Sequence, residues 1–514
     1  MKHLLAIHAL ALACGSTLLS AEINIFSFDD HAIPYKLNLK LTLEHPKKFP
    51  GNPVVRRGPP GSVDAFRAQF YGSVIHIGNK FRMWYLAASD AEAVNSVDAS
   101  FRLAYAESDD GIRWSKPELG LTEFHGNKRN NLVEVSPAID MRRLGPLSCF
   151  VLYEPQDPDP HKRYKMAVYA RYYESADPKE VARARNIPST MLPLFSADGF
   201  HWRLAIPAPK GPWFTANEVP FPVKNNFELG GLYKFDGIYY VAGQELWPDI
   251  NLPDGSPVRR TMVTHWSGNF IDWSHDKSFS FQRHGYRSVR ESLEEAHEPA
   301  GVWNRGNVLV ALYGLWHGAL VNSERRMDLG LLVSDDGIHF REPVADFPFI
   351  PAGRDGEWDQ RGLIHGQGYV NVGEQTYIYY GNWDLSRSDP APGEVGLAMM
   401  RRDGFGYLSP IFPGEAQFTT APLASAGPKA SLYCNVDGLG PESWLKVEVI
   451  DKLGAPIIGL SGAGAPVVQQ SGLKVQVTER SGAPITLPAA PFRLRVRFEG
   501  ASSGKARFYA AYVE

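Results

Sequence analysis

Ser108-Asp109-Asp110-Gly111-Ile112-Arg113-Trp114 is the stretch from which the rest of the chain can be read. Asp-Gly supplies the positive-φ corner of a tight turn, and the aromatic residue three positions on can fold back onto the sheet that carries it. The pattern returns as Ser196-Ala197-Asp198-Gly199-Phe200-His201-Trp202 and as Ser334-Asp335-Asp336-Gly337-Ile338-His339-Phe340. A weaker copy is Ser267-Gly268-Asn269-Phe270-Ile271-Asp272-Trp273, and Arg402-Asp403-Gly404-Phe405 is a remnant. With Gly111, Gly199, Gly268, Gly337 and Gly404 as markers, the steps are 88, 69, 69 and 67 residues. Self-similarity of this kind marks a repeat architecture.

Each turn is preceded by a second element: a strand, a short turn and an aromatic-rich strand. Its copies span 71–86, 147–170, 229–246, 300–316 and 366–383. A hairpin, a third strand, the Asp-Gly turn and a closing strand make four strands per unit, in five units. Four-stranded sheets repeated radially form a β-propeller. The alternative is an irregular array of β-sandwiches, which five in-phase copies disfavour. After about residue 410 the aromatic hairpins stop. Alternating runs at 444–450 and 492–498, with Gly and Pro turns between, read as a β-sandwich. The expected fold is therefore all-β: a five-bladed β-propeller over 22–410, then a C-terminal β-sandwich over 411–514.

Composition agrees. The chain has 514 residues, 44% apolar and 12% aromatic, with 48 Gly and 39 Pro. That is enough apolar material for a large core and excludes general disorder. A net charge of −3 (53 basic against 56 acidic residues) gives no basic face for nucleic acid or a membrane surface. Residues 1–21 read as a secretory signal: Lys2, an apolar run from Leu4 to Ala13, then Leu19-Ser20-Ala21 before Glu22. Cleavage after Ala21 would give a secreted or periplasmic product. The residues around Cys14 depart from a lipobox, and no later segment is long and apolar enough to span a bilayer. Cys149 and Cys434 lie in different regions, which argues against a structural disulfide, and no zinc spacing exists. No organic cofactor is expected and no metal ligand set is assigned; oxygen ligands for a structural calcium are plentiful but no ligand loop has a recognisable spacing, so calcium and the oligomeric state stay open.

A five-bladed propeller followed by a sandwich resembles the invertase and levanase family of glycoside hydrolases (family 32). The propeller alone resembles the arabinanase and xylosidase family (family 43). In the tail, Phe418-Thr419-Thr420-Ala421-Pro422-Leu423 and Val447-Glu448-Val449-Ile450-Asp451, followed by Gly454, are similar to the invertase-type sandwich. The resemblance implies three acids lining a central funnel, one each from blades one, two and three. The third-blade acid of the family stands nine residues before a hairpin glycine. Glu228 and Gly237 match that spacing, so Glu228 is the implied general acid. The first-blade position holds Gln69 instead of Asp, and the second-blade Arg-Asp-Pro is absent; Arg142-Arg143-Leu144-Gly145-Pro146 stands near it. The chain thus reads as a divergent member, without support for a sucrose or levan substrate.

Blade geometry supplies the remaining candidates. Innermost strands start at the funnel mouth, and second strands return to it. The starts carry Asp64, Arg67, Asp140, Arg143, Glu228, His297, Glu298, His365 and Gln367. The returning ends carry Asp90, Arg171, Gln244, Glu245, Trp316, His317, Trp383 and Asp384. Glycoside cleavage needs two carboxyl groups, one protonated and one acting as base or nucleophile. Glu228 is taken as the acid, with Asp64, Glu298, Asp140 and Glu245 as candidate partners. Arg67, Arg171, Gln244, Glu245, His297, Trp316, His317, His365, Gln367, Trp383 and Asp384 are expected to contact sugar. Arg67, Arg143 and Arg171 hint at an anionic substituent such as sulfate or uronate. The expected function is an exported glycosidase acting on a plant or algal polysaccharide or oligosaccharide. A non-catalytic carbohydrate-binding propeller and a protein-interaction scaffold are the alternatives. The Asp-Gly turns are assigned to structure.

Overall fold

The computed structural model describes residues 22–89, 101–136, 144–172, 189–206, 227–251, 257–283, 295–318, 324–385, 392–424 and 430–514. Asp90, Asp140, Arg143 and the leader expected at 1–21 lie outside them. The described chain is all-β, with no α-helix among the described residues.

Five antiparallel hairpins follow one another: Arg67–Ile77 with Lys80–Ala88, Leu144–Tyr153 with Tyr164–Tyr172, Glu228–Phe235 with Ile238–Asn251, Glu295–Asn304 with Leu309–His317, and Leu363–Val372 with Gln375–Asn382. Each carries a third strand on its outer side, so the five hairpins head five blades. The first strand of each blade lies beside that of the next, and the fifth lies beside the first, which closes the ring. Gln367 of blade five pairs in parallel with Ser73 of blade one at that closure. The fourth strand of blade five comes from the other end of the chain: Lys47–Lys48 pairs antiparallel with Val395–Arg401.

The centre of the ring is packed backbone on backbone. All five inner strands lose register at the same level, between Gln69 and Ser73, Pro146 and Ser148, Leu229 and Gly231, His297 and Gly301, and His365 and Tyr369. Such bulges bend a strand and re-aim its side chains. Glycine permits the approach. A Cβ on Gly231 would lie 1.8 Å from the Ala300 carbonyl oxygen, and one on Gly301 would lie 2.4 Å from that of Gly366.

The Asp-Gly turns act as inter-blade fasteners. Ser108 Oγ accepts from Gly111 N at 2.8 Å, and Asp110 Oδ1 accepts from Ile112 N and Arg113 N at 2.8 and 2.7 Å. The Gly111 carbonyl then accepts from Tyr379 Oη of blade five at 2.6 Å. Gly199 accepts likewise from Trp84 of blade one, and Gly337 from Tyr233 of blade three. In the weaker copy Asn269 replaces the Asp, and Phe270 takes the positive φ of 67°. Phe270, not Gly268, is therefore the counterpart of Gly111.

Two further sheets enclose a separate apolar core that includes Phe418, Leu445, Val447, Leu494, Val496 and Phe508. One holds Leu432–Asp437, Arg507–Val513 and Gly406–Pro410; the other holds Ala416–Thr419, Phe492–Glu499 and Trp444–Asp451. The sequence boundary at 411 placed residues 22–43 with the repeats. In the structure Ile23–Phe26 pairs with Arg507–Val513, Tyr35–Leu37 with Ala416–Thr419, and Leu39–Leu43 with Gly406–Pro410. Among the described residues the two cysteines are free and buried apart, Cys149 in blade two and Cys434 in the sandwich core.

Where this N-terminal segment meets blade four, Arg341 gathers three carboxylates. It reaches Asp29, Asp30 and Asp335 at 3.0, 2.6 and 2.8 Å. Asp29 is fully buried. Burial first, and then the charge of Asp335, push its carboxyl up to about 7.

Candidate active site

Side chains from all five blades form one connected group, some from the bulged inner strands and some from the returning strands. Glu228 opens the inner strand of blade three, opposite Gln244 on the returning strand. Gln244 Nε2 donates to Glu228 Oε2, and Gln244 Oε1 accepts from the Glu298 backbone N–H at 2.8 Å. One amide therefore links the first acid of blade three to the bulge of blade four. Arg171, at the returning end of blade two, contributes Nη2 at 3.3 Å from Glu228 Oε1.

Glu298 sits inside the blade-four bulge with φ of +46°. A non-glycine residue seldom adopts that left-handed conformation, and it persists only where surrounding structure imposes it. Here the Nε2–H of His365 donates to the Glu298 carbonyl, and Gln244 holds its N–H. His365 is fully buried, and burial holds its ring down to about 4, so it serves as a neutral clamp. Tyr71 of blade one packs edge-on against His365 at 5.5 Å. Burial, then the charges of Glu298 and Glu228, push the Tyr71 phenol well up.

His297 is stacked on Trp316 at 4.8 Å and 19°, and Trp383 of blade five leans on it at 5.7 Å. Glu295 Oε1 lies 3.0 Å from His297 Nδ1 and 2.9 Å from Arg260 Nη1. Burial works against ionisation of Glu295, but His297 and Arg260 prevail and hold its carboxyl down to about 2. Exposure separates the three carboxyls: the Glu228 and Glu298 side chains are 27% and 15% exposed, Glu295 only 6%. Glu228 and Glu298 are thus partly open to solvent, whereas Glu295 is buried.

The structure thus brings together Glu228, Glu298, Arg171, Gln244, His297, Trp316, His365 and Trp383. The other described candidates have different contacts. Asp64 is buried, accepting from Tyr85 Oη at 2.8 Å and pairing with Lys116. Arg67 lies over the rings of Phe66 and Phe101. Glu245 pairs with Lys277 at 2.6 Å. His317 stands 3.4 Å from Asp328, and Asp384 accepts from Gln360 at 2.9 Å. Gln367 reaches across the ring, where its amide bonds both the N–H and the carbonyl of Leu232, each at 2.5 Å. Arg260, Glu295 and Tyr71 were missed. Arg260 lies on the third strand of its blade, opposite Leu246, where only first and second strands were considered. Glu295 stands two residues before His297, hence on the same face of the strand.

Among the described residues no group of three or more His, Cys, Asp or Glu side chains is placed to hold a metal ion, and no helix is long and apolar enough to cross a membrane. No family model matches the chain. No curated protein matches it either. Solved structures of similar shape exist. One belongs to the GH130 family of mannoside phosphorylases, which contains glycoside hydrolases that target β-1,2-mannosidic linkages. It is 14% identical over 71% of this chain and 97% of its own, with a TM-score of 0.45. A glycosyl hydrolase from Bacteroides ovatus is 15% identical over 70% of this chain and 94% of its own, with a TM-score of 0.45. An N-acetylgalactosamine deacetylase from F. plautii is 13% identical over 71% and 96%, with a TM-score of 0.42. The family named among them is neither the invertase nor the arabinanase family. None of these similarities assigns a reaction to this chain.

Proposed function

We propose that the chain is a carbohydrate-active enzyme that cleaves a glycosidic bond at the mouth of the ring, with Glu228 and Glu298 as its two carboxyl groups. The observation that carries this reading is that Gln244 bonds the Glu228 carboxylate and the Glu298 backbone N–H. It sets two solvent-reaching acids from neighbouring blades beside the stack of Trp316, His297 and Trp383. Paired carboxyls are what glycoside cleavage requires, and aromatic faces are what a pyranose ring packs on.

The roles follow from the hydrogen bonds. Both oxygens of Glu228 accept, one from Arg171 and one from Gln244, which suits a base or nucleophile. Glu298 stands on the drier side, next to His297, and is the proton donor to the departing oxygen. This reverses the role that the resemblance implied for Glu228. Arg171 is engaged by Glu228, which takes support from the idea of an anionic substituent. With the leader expected at 1–21, we place the activity outside the cytoplasm.

The test is release of reducing ends from a panel of neutral and sulfated polysaccharides and their oligosaccharides, with Glu228→Gln alongside. Release by the wild type and not by the variant supports the reading. Binding of a glycan without release in a long incubation favours a carbohydrate-binding propeller instead.

A further inference from the structure

The sandwich has an outer sheet face that the chemistry at the ring mouth does not use. One of its two sheets is covered on both sides: Arg401 of blade five donates to Asn435 at 2.9 Å, and Tyr512 donates to Asp403 at 2.9 Å, so this sheet lies against the propeller. The other sheet holds Ala416–Thr419, Phe492–Glu499 and Trp444–Asp451, with Tyr35–Leu37 at its edge, and turns Phe418, Val447, Leu494 and Val496 into the core. Alternate residues of a strand point to opposite faces, so the residues between these point outwards. They include Arg493, Arg495, Arg497 and Glu499 on one strand and Trp444, Lys446 and Glu448 on its neighbour. Strand pairing sets the outward residues in rows. Tyr35, Thr419, Arg495 and Glu448 form one row, Leu37, Gln417, Arg497 and Lys446 the next, and Glu499 and Trp444 the one beyond.

Four basic side chains on these strands stand against two acids. Glu448 alone serves two guanidiniums: its Oε2 is 3.3 Å from Arg497 Nε and 3.6 Å from Arg495 Nη1, and its Oε1 accepts from Gly462 N at 2.9 Å. One positive charge is therefore left over, and Lys446 adds another directly across from Arg497. The chain's net charge of −3 hides this local excess. An aromatic ring stands at each end of a diagonal through these cations. Tyr35 is 61% exposed. Trp444 is half-buried and held in place, its Nε1–H donating to Glu499 Oε2 at 3.1 Å and its ring lying against Gly500, where a Cβ would fall 2.8 Å from it. From strand spacing and rise the two rings are about 20 Å apart, with Gln417 and Arg497 opposite one another midway. Resting on the reading of the chain as carbohydrate-active, we propose that this face binds an acidic polysaccharide, one carrying sulfate or carboxylate groups, laid across the sheet from Tyr35 to Trp444. Guanidinium forks match the oxygens of such groups, and sugar rings pack on aromatic faces. A flat sheet with its rings this far apart suits an extended polymer. The face holds the polymer and takes no part in bond cleavage.

Affinity electrophoresis of the full chain tests this, in gels containing dextran sulfate, polygalacturonate or neutral dextran. The wild type should be retarded by a charged polymer and not by dextran, and less so as salt is raised. Arg495→Ser combined with Arg497→Ser should weaken the affinity about tenfold or more. Tyr35→Ala and Trp444→Ala should each weaken it about fivefold. If Trp444→Ala does not fold, Tyr35→Ala, at an exposed edge position, decides the aromatic part. All these variants should keep the wild-type kcat on an aryl glycoside, because none lies at the ring mouth. No retardation by either charged polymer, equal retardation by dextran, or unchanged affinity in the variants overturns the proposal. Loss in the arginine variant without loss in Tyr35→Ala, or equally tight binding of duplex DNA, means a bare charge patch and also overturns it. If the wild type turns over no glycoside, the cleavage reading fails, while the retardation still decides what the sandwich face binds.

Discussion

Arg171 Nη2 lies 3.3 Å from Glu228 Oε1 across the boundary between blades two and three. A returning strand end and an inner strand start, 57 residues apart in the chain, thus meet at one carboxyl. Arg171→Met removes the charge that holds this acid in place. The expected result is a fall in kcat of about 10²-fold, with Arg171→Lys recovering only part of it because one ammonium cannot replace the planar fork. Steady-state kinetics on one cleavable glycoside checks both. Unchanged kcat in Arg171→Met would detach the arginine from the site.

Trp383 leans over His297 and is half-buried, so it retains a face for a sugar ring. Trp383→Ala is expected to raise KM roughly fivefold, about 1 kcal/mol of lost stacking, with kcat within about threefold. Trp383→Phe should restore most of the affinity. A loss confined to kcat would move Trp383 from binding to support of His297.

Gly231 sets the distance between blades three and four. A Cβ there would fall 1.8 Å from the Ala300 carbonyl oxygen, which is backbone and cannot rotate away. Gly231→Ala should therefore cost about 3 kcal/mol or prevent folding. Gly237→Ala meets no atom, but at a φ of +82° it costs about 1 kcal/mol. Denaturant melts of the two variants check the order, and equal midpoints would contradict the packed centre.

The junction between the sandwich and blade four should respond to pH. Asp29 is pushed up to about 7, by burial first and then by Asp335, while an unfolded Asp titrates near about 4. Between those values the folded state binds the extra proton, so this group stabilises the fold at low pH. Its contribution is lost as pH rises through about 7. Asp29→Asn should flatten the fall in thermal midpoint between pH 5 and 8. An unchanged slope would place Asp29 outside the pH response.

The blade repeat was legible because it is local. Ser108, Asp110 and Gly111 bond to one another within four residues, so the chemistry of the turn is written as a short motif. Phe270 escaped because its positive φ is carried by a residue that rarely adopts it. The N-terminal strands escaped for a different reason: Ile23 pairs with Val513, and no local pattern announces a partner so distant. At the site, strand starts and returns located eight candidates. Asp64 followed the same rule, yet it is engaged by Lys116, 52 residues away, which only the folded chain shows. Arg260 and Glu295 are supports rather than mouth residues, and support is defined by contacts, not by position in a repeat.

The most direct measurement compares Glu228→Gln and Glu298→Gln on a matched pair of aryl glycosides, one with a good and one with a poor leaving group. A base or nucleophile is needed for both substrates, whereas an acid is needed only where the leaving group must be protonated. The account predicts that Glu228→Gln loses both activities and that Glu298→Gln loses only the poor leaving group. Wild-type rates on both substrates in either variant would contradict it.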